Sequence, residues 1–148
     1  MNNAIEKTII EAINAVYPNF DIISFPIDFE NFEFTNHDGC VLIKYENSTF
    51  SSQNTVWDVR QDETYEYKIL TGLRYLTSFN QANPVIAGMK EILHGLFIVN
   101  HKAVFKQIKI EGVDNGDLWF SITIDITLSQ HGSKQTYGGI ADEIPQTA

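Results

Sequence analysis

The reactive side chains of this chain crowd most closely at His37-Asp38-Gly39-Cys40. A thiol acts as a nucleophile only as the thiolate, which needs a neighbouring cation, a helix N-terminus or a metal. No second histidine and no helix start stands beside Cys40, so the run reads as a turn entering a strand. His94, His101 and His131 form no H-x-x-x-H or H-E-x-x-H pair, and one cysteine cannot build a structural zinc site. Asp114 and Asp117 flank Asn115-Gly116 without the alternating acidic ladder of a calcium loop, which makes that stretch a hairpin turn. The chain contains no G-x-S-x-G elbow, P-loop or dinucleotide-binding glycine set. Asp125 falls on the polar side of an alternating strand, where a solvated or interface carboxylate is expected rather than a buried catalyst. These residues assign no catalytic role, metal or cofactor.

Composition narrows the classes further. A length of 148 residues suits one domain with its own core. The formal net charge is −9, and the ten Lys and Arg are scattered, which argues against stable nucleic-acid binding because such binding needs clustered cations. A single cysteine fits a reducing compartment. The first residues lack the basic and apolar regions of a signal peptide, and no apolar run reaches the ~20 residues that span a bilayer. The expectation is a soluble, cytoplasmic protein without membrane contact.

The elements that must position these residues are clearest in Leu118–Leu128, where six apolar residues alternate with Trp119, Ser121, Thr123, Asp125 and Thr127. Period two marks a strand of an antiparallel sheet with one buried face. Residues 3–17 carry Ile5, Ile9, Ala12, Ile13 and Val16 at helical spacing, and Pro18 ends the pattern. Ile22–Phe25 reads as a short strand, and the phenylalanine-rich stretch from 20 to 34 as a loop packed over the core. Cys40–Tyr45 is apolar on both sides, as a central strand would be. Residues 46–63 read as a polar loop containing Phe50 and Trp57, long for an idle connection. Thr64–Leu76 forms another strand. Asn83 caps a second helix with Pro84 in its first turn and Gly95 at its end.

Residues 103–112 and 117–129 form a hairpin. A three-residue turn with left-handed Gly116 would set Val113 opposite Asp117, Ile110 opposite Phe120, Ile108 opposite Ile122 and Val104 opposite Ile126. Residues 130–148 lack periodicity and are expected to be a flexible tail beyond a single domain at 1–129. The expected fold class is α+β, a mainly antiparallel, twisted sheet of about four or five strands packed against two helices. The polar side of the last hairpin, with Trp119, Thr123 and Asp125, and the loop with Phe50 and Trp57 are the candidate protein contacts, since large aromatics among small polar groups are enriched there.

In order, the leading helix, the Gly39–Tyr45 strand, Ser48 and Phe50, Arg60-Gln61 before a long strand ending at Leu73-Arg74, an isolated helix and a closing hairpin with Trp119 resemble the small tail-completion (tail-terminator) proteins of bacteriophages and prophages, Mu-like branch, over residues 3–130. The resemblance implies a structural protein that is not an enzyme and needs no cofactor. It implies a homo-oligomeric ring, commonly a hexamer, that caps the tail tube and meets the head–tail connector. Its partners would be further copies of itself, the tail tube protein and the connector, in the host bacterial cytoplasm and then in the virion tail or a phage-derived particle. It adds Asp58, Arg60 and Arg74 to the candidate interface. An α+β adaptor binding a partner peptide at a sheet edge is the alternative, and a small-molecule enzyme or carrier comes last.

Overall fold

The computed structural model describes residues 2–33, 38–54, 59–74, 76, 78–94, 96–98, 101–132, 136–138 and 141–142. Helix α1 spans Asn2–Val16. Its isoleucines at 5, 9 and 13 are fully buried, while Val16, one turn beyond them, is exposed. Strand β1, Asp21–Ser24, pairs with β2, Gly39–Asn54, in parallel, with Ile22 opposite Val41 and Ser24 opposite Ile43. Parallel neighbours need a crossover between them. Here it contains the short 3-10 turn Phe29–Asn31.

Strand β3 spans Val59–Leu73, so only residues 55–58 separate it from β2, its neighbour in the sheet. A connection that short joins only antiparallel strands. The expected loop over 46–63 is therefore corrected to two strand extensions. Ser, Thr, Asn and Gln along 47–54 give neither face an apolar bias, so the arm has no period for the sequence to display.

A 3-10 turn at Phe79–Ala82 leads into α2, Asn83–Leu93. The helical run begins earlier than Asn83: Ser78 and Gln81 form a reciprocal capping box, and the Ser78 N–H donates to Gln81 Oε1 at 3.4 Å. Strands β4, Phe97–Ile98, and β5, His101–Lys102, make a minimal antiparallel pair. Strands β6, Val104–Asp114, and β7, Asp117–Gly132, form the closing hairpin. Beyond them, β8, Thr136–Gly138, pairs antiparallel with β9, Ala141–Asp142.

The five-stranded sheet has the order β1-β2-β3-β7-β6. The Thr64 and Thr127 hydroxyls are 2.8 Å apart, and Gly72 abuts Trp119 eight residues along in the opposite sense, so β3 and β7 run antiparallel. With its parallel β1–β2 edge the sheet is mixed but largely antiparallel, and the fold is α+β. The chain clusters into two compact units, Met1–Asn47 with Glu66–Ile126, and Ser48–Tyr65 with Thr127–Ala148.

The hairpin turn is tighter than the sequence suggests. Asp114 pairs with Asp117, leaving a two-residue Asn115-Gly116 loop with φ of 50° and 82°. Two consecutive positive φ values match the type I′ turn, whose twist suits the flanking strands. Ile110 nevertheless faces Phe120 and Ile108 faces Ile122, because a bulge between Ile110 and Gly112 restores the offset. Gly112 sits there at φ 131°, a conformation that side chains rarely adopt. A second irregularity, between Phe105 and Gln107, sets Val104 opposite Asp125 instead of Ile126.

Both sheet faces are covered. One carries Val41, Ile43, Tyr67, Ile69, Phe120, Ile122 and Ile124, all buried, together with the buried stripes of α1 and of α2 (Met89, Leu93). On this side His94, just past α2, stacks on Phe105, the partner of Ile124, with ring centroids 6.2 Å apart. The other face centres on Cys40, Leu42 and Trp119, over which Phe25, Phe29 and Phe32 pack. The packed-loop reading of the phenylalanine-rich stretch agrees with this arrangement.

Candidate interaction surface

Cys40 is fully buried, and loss of solvent raises its thiol pKa to about 12. It is a core side chain at neutral pH. His37 lies outside the described residues. Among the described residues no group of three or more His, Cys, Asp or Glu converges as metal ligands would.

Trp119 is the anchor of the second face. It projects from β7 between Phe29, which meets it edge-on at 5.6 Å, and Gly72 of β3. A Cβ at Gly72 would approach the indole to 2.8 Å, so this backbone accepts no side chain while the ring stays in place. Phe29 stacks in turn on Phe25 at 4.9 Å. The aromatic layer leaves a groove of about 360 Å³ between itself and the end of β6, with Leu70 and Trp119 within it and Val113 on its wall. Its polar groups partner one another or nearby residues: Lys68 with Glu111 at 3.3 Å, and Lys44 with Glu46 at 3.3 Å. Ser121 donates to Glu111 Oε2 at 2.6 Å, and that bond, ahead of Lys68, lowers the Glu111 pKa despite partial burial. The Lys68–Glu111 pair links β3 to β6, whereas Lys44 and Glu46 pair within β2.

The candidate contact residues separate into distinct environments. Trp119 and Thr123 are each 8% exposed, so the side of β7 expected to be open is closed at both positions, at Trp119 by the phenylalanine layer. Asp125 is half-buried, and its Oδ1 has no hydrogen-bond partner among the described residues. Desolvation raises its pKa, opposed by Lys106 and reinforced by Glu66. Arg74 meets Asp117 at 3.5 Å, yet burial still raises the Asp117 pKa. Phe50 is exposed on the long arm of β2. Trp57 and Asp58 lie outside the described residues, and Arg60 is placed by its backbone alone, at the start of β3.

The surface that sequence patterning missed is the outer strand β6. Ile108 and Ile110 share the face of Phe120 and Ile122, but 38% and 43% of their surfaces remain exposed, and Val104 and Val113 are more exposed still. Lys106 reaches Glu66 on β3 at 2.7 Å, and Lys109 is exposed beside Ser121. The signal available in sequence was the lysine spacing, since edge strands are commonly guarded by Lys.

No family model matches the chain, and no curated protein does. Among solved structures, a chain from the virion of a native gene transfer agent particle shares this fold at a TM-score of 0.52 and 10% identity, over 87% of this chain and 97% of that one. A second solved chain, with a TM-score of 0.46 and 13% identity over 84% of this chain and 92% of its own, is too distant to carry an argument.

Proposed function

We propose that the chain is a structural subunit of a phage-like particle, and that copies of it form a ring completing the tail tube. The observation carrying this reading is the likeness to a gene transfer agent virion chain, which extends over nearly all of that chain. The incompletely covered apolar edge of β6, and separately the exposed Phe50 on the long arm of β2, support a reading in which the chain contacts neighbours. Phe50, Trp57, Asp58 and Arg60 are the proposed contacts on or beside the arm, facing the tail tube protein or the head–tail connector. A net charge of −9 suits a ring through which DNA passes without sticking. Assembly would take place in the bacterial cytoplasm before incorporation into the particle.

Light scattering across a concentration series, with electron microscopy of the largest species, tests the reading. Rings with a central opening are expected, and a basic lumen would remove the DNA-passage argument. A protein that stays monomeric throughout would favour the second reading, an adaptor that receives a partner strand along β6. Replacing Trp57 and Arg60 together by Ala should impair assembly and leave the monomer folded.

A further inference from the structure

Asn115-Gly116, at the tip of the closing hairpin, is the only Asn-Gly step in the chain. The backbone nitrogen that follows an asparagine can attack that residue's own side-chain amide, and glycine leaves the approach open because it has no Cβ. Every other asparagine is followed by a residue with a side chain. Asn115 and Gly116 are both exposed and lie beyond the last rung of the ladder, Asp114 with Asp117. The folded turn also permits the ring to close. A five-membered imide makes Cβ, Cα and the carbonyl carbon of Asn115 coplanar with the Gly116 nitrogen, which for an L residue sets ψ near about −120°, the value found with positive φ at the first central position of a type II′ turn. Asn115 already stands at φ 50°. Gly116 would move from φ 82° to about −80°, a change glycine makes at little cost, and the space around it is open. Type II′ turns suit hairpins as type I′ turns do. Flipping one peptide plane therefore reaches the reactive geometry with the Asp114–Asp117 rung in place.

We propose that Asn115 is a site of deamidation in the folded protein, with water as the co-reactant. The Gly116 nitrogen gives its proton to a solvent base and bonds to Asn115 Cγ. The Cγ–Nδ2 bond breaks and ammonia leaves, forming a succinimide. Water then opens either ring carbonyl, so the net change consumes one water and releases one ammonia. One opening gives an ordinary aspartate at 115, and Asp-Gly suits the same turn. The other gives isoaspartate, whose main chain runs through Cβ and is one atom longer, which a two-residue loop does not fit. Both products add a negative charge beside Asp114 and Asp117, on the groove also lined by Phe32, Glu33, Arg74 and Trp119. The inference stands apart from the ring reading and survives its failure.

The test incubates the full chain in warm, mildly alkaline buffer, folded and in urea at the same pH, with peptide mapping by mass spectrometry. A gain of about 1 Da should appear at Asn115. It should outpace every other asparagine by about tenfold or more. Were global unfolding required, the folded sample would lag the unfolded one by the folding equilibrium, on the order of a thousandfold or more. A change confined to the turn tip should keep the lag within about a hundredfold. A larger lag, or an Asn115 no faster than Asn47, would overturn the proposal. Asn115→Gln, which must close a larger ring, should abolish the gain; a gain that persists in this peptide would place the modification elsewhere. Asn115→Asp should keep the wild-type circular dichroism spectrum and β6–β7 amide resonances. The isoaspartate fraction, separated by chromatography, should shift those resonances, and an unshifted spectrum would refute the predicted effect on the turn.

Discussion

β6 and β7 are two arms of one hairpin with similar isoleucine patterning and opposite fates. Along β7, Leu118 through Ile124 are all buried, whichever face they point to. Along β6, Ile108 and Ile110 sit directly opposite Ile122 and Phe120 yet remain over a third exposed. The difference is position: β7 has strands on both sides and a cover on each face, whereas β6 is the last strand. Alternation therefore reports which way a side chain points, and only the neighbouring layers decide how much water it loses.

The contrast can be broken most directly by truncation. Ile122→Ala should cost about 3 kcal/mol or more, as large-to-small changes in closed cores do. Ile110→Ala should cost under ~1 kcal/mol, because its site is already open to solvent. Urea denaturation of the two variants checks this, and equal losses would show that β6 is as well covered as β7. Gly72→Ala should cost about 1–3 kcal/mol by displacing the Trp119 ring, with a matching loss of near-ultraviolet dichroism. An unchanged aromatic signal would mean that the phenylalanine layer is looser than its ring distances imply.

Gly112→Ala should cost about 1–2 kcal/mol from backbone strain at φ 131°, although no atom lies close enough to clash. Its effect should appear as shifted β6 amide resonances with β7 largely unmoved. The smallest effect is expected at Asp125. Its folded pKa is raised chiefly by desolvation, so its ionised form destabilises the fold. That cost is present above the raised folded pKa and disappears as pH falls below the unfolded value near 4. Asp125→Asn should therefore raise thermal stability slightly near neutral pH, with the difference vanishing in acid. A variant equally stabilised at both pH values would place the effect in packing and not in charge.

The hairpin shows how legibility is limited. The pairing of Ile110 with Phe120 was readable because a one-residue slip would reverse the buried face of β7. The turn was not, since a tight loop with a bulge at Gly112 yields the same pairing as a three-residue loop without it. The capping box at Ser78 and Gln81 carried an ordinary local signature, but Asn83-Pro84 offered a stronger-looking start five residues later. The candidate site was read from side-chain type, which placed Trp119 on an outer surface. The Phe25, Phe29 and Phe32 layer that buries it comes from nearly ninety residues earlier in the chain.

By itself the sequence determined the α+β class, the buried stripe of α1, the apolar faces of β3 and β7 and the pairing of Ile108 and Ile110 with Ile122 and Phe120 in the β6–β7 hairpin, because short-range periodicity encodes which side of an element meets apolar surroundings. The tertiary structure alone decided that β1 runs parallel to β2, that β6 is an edge, that residues 46–54 continue a strand, and that Trp119 is interior. Each of these depends on which distant segment lies alongside, and that is settled by closure of the whole core and not by any local pattern.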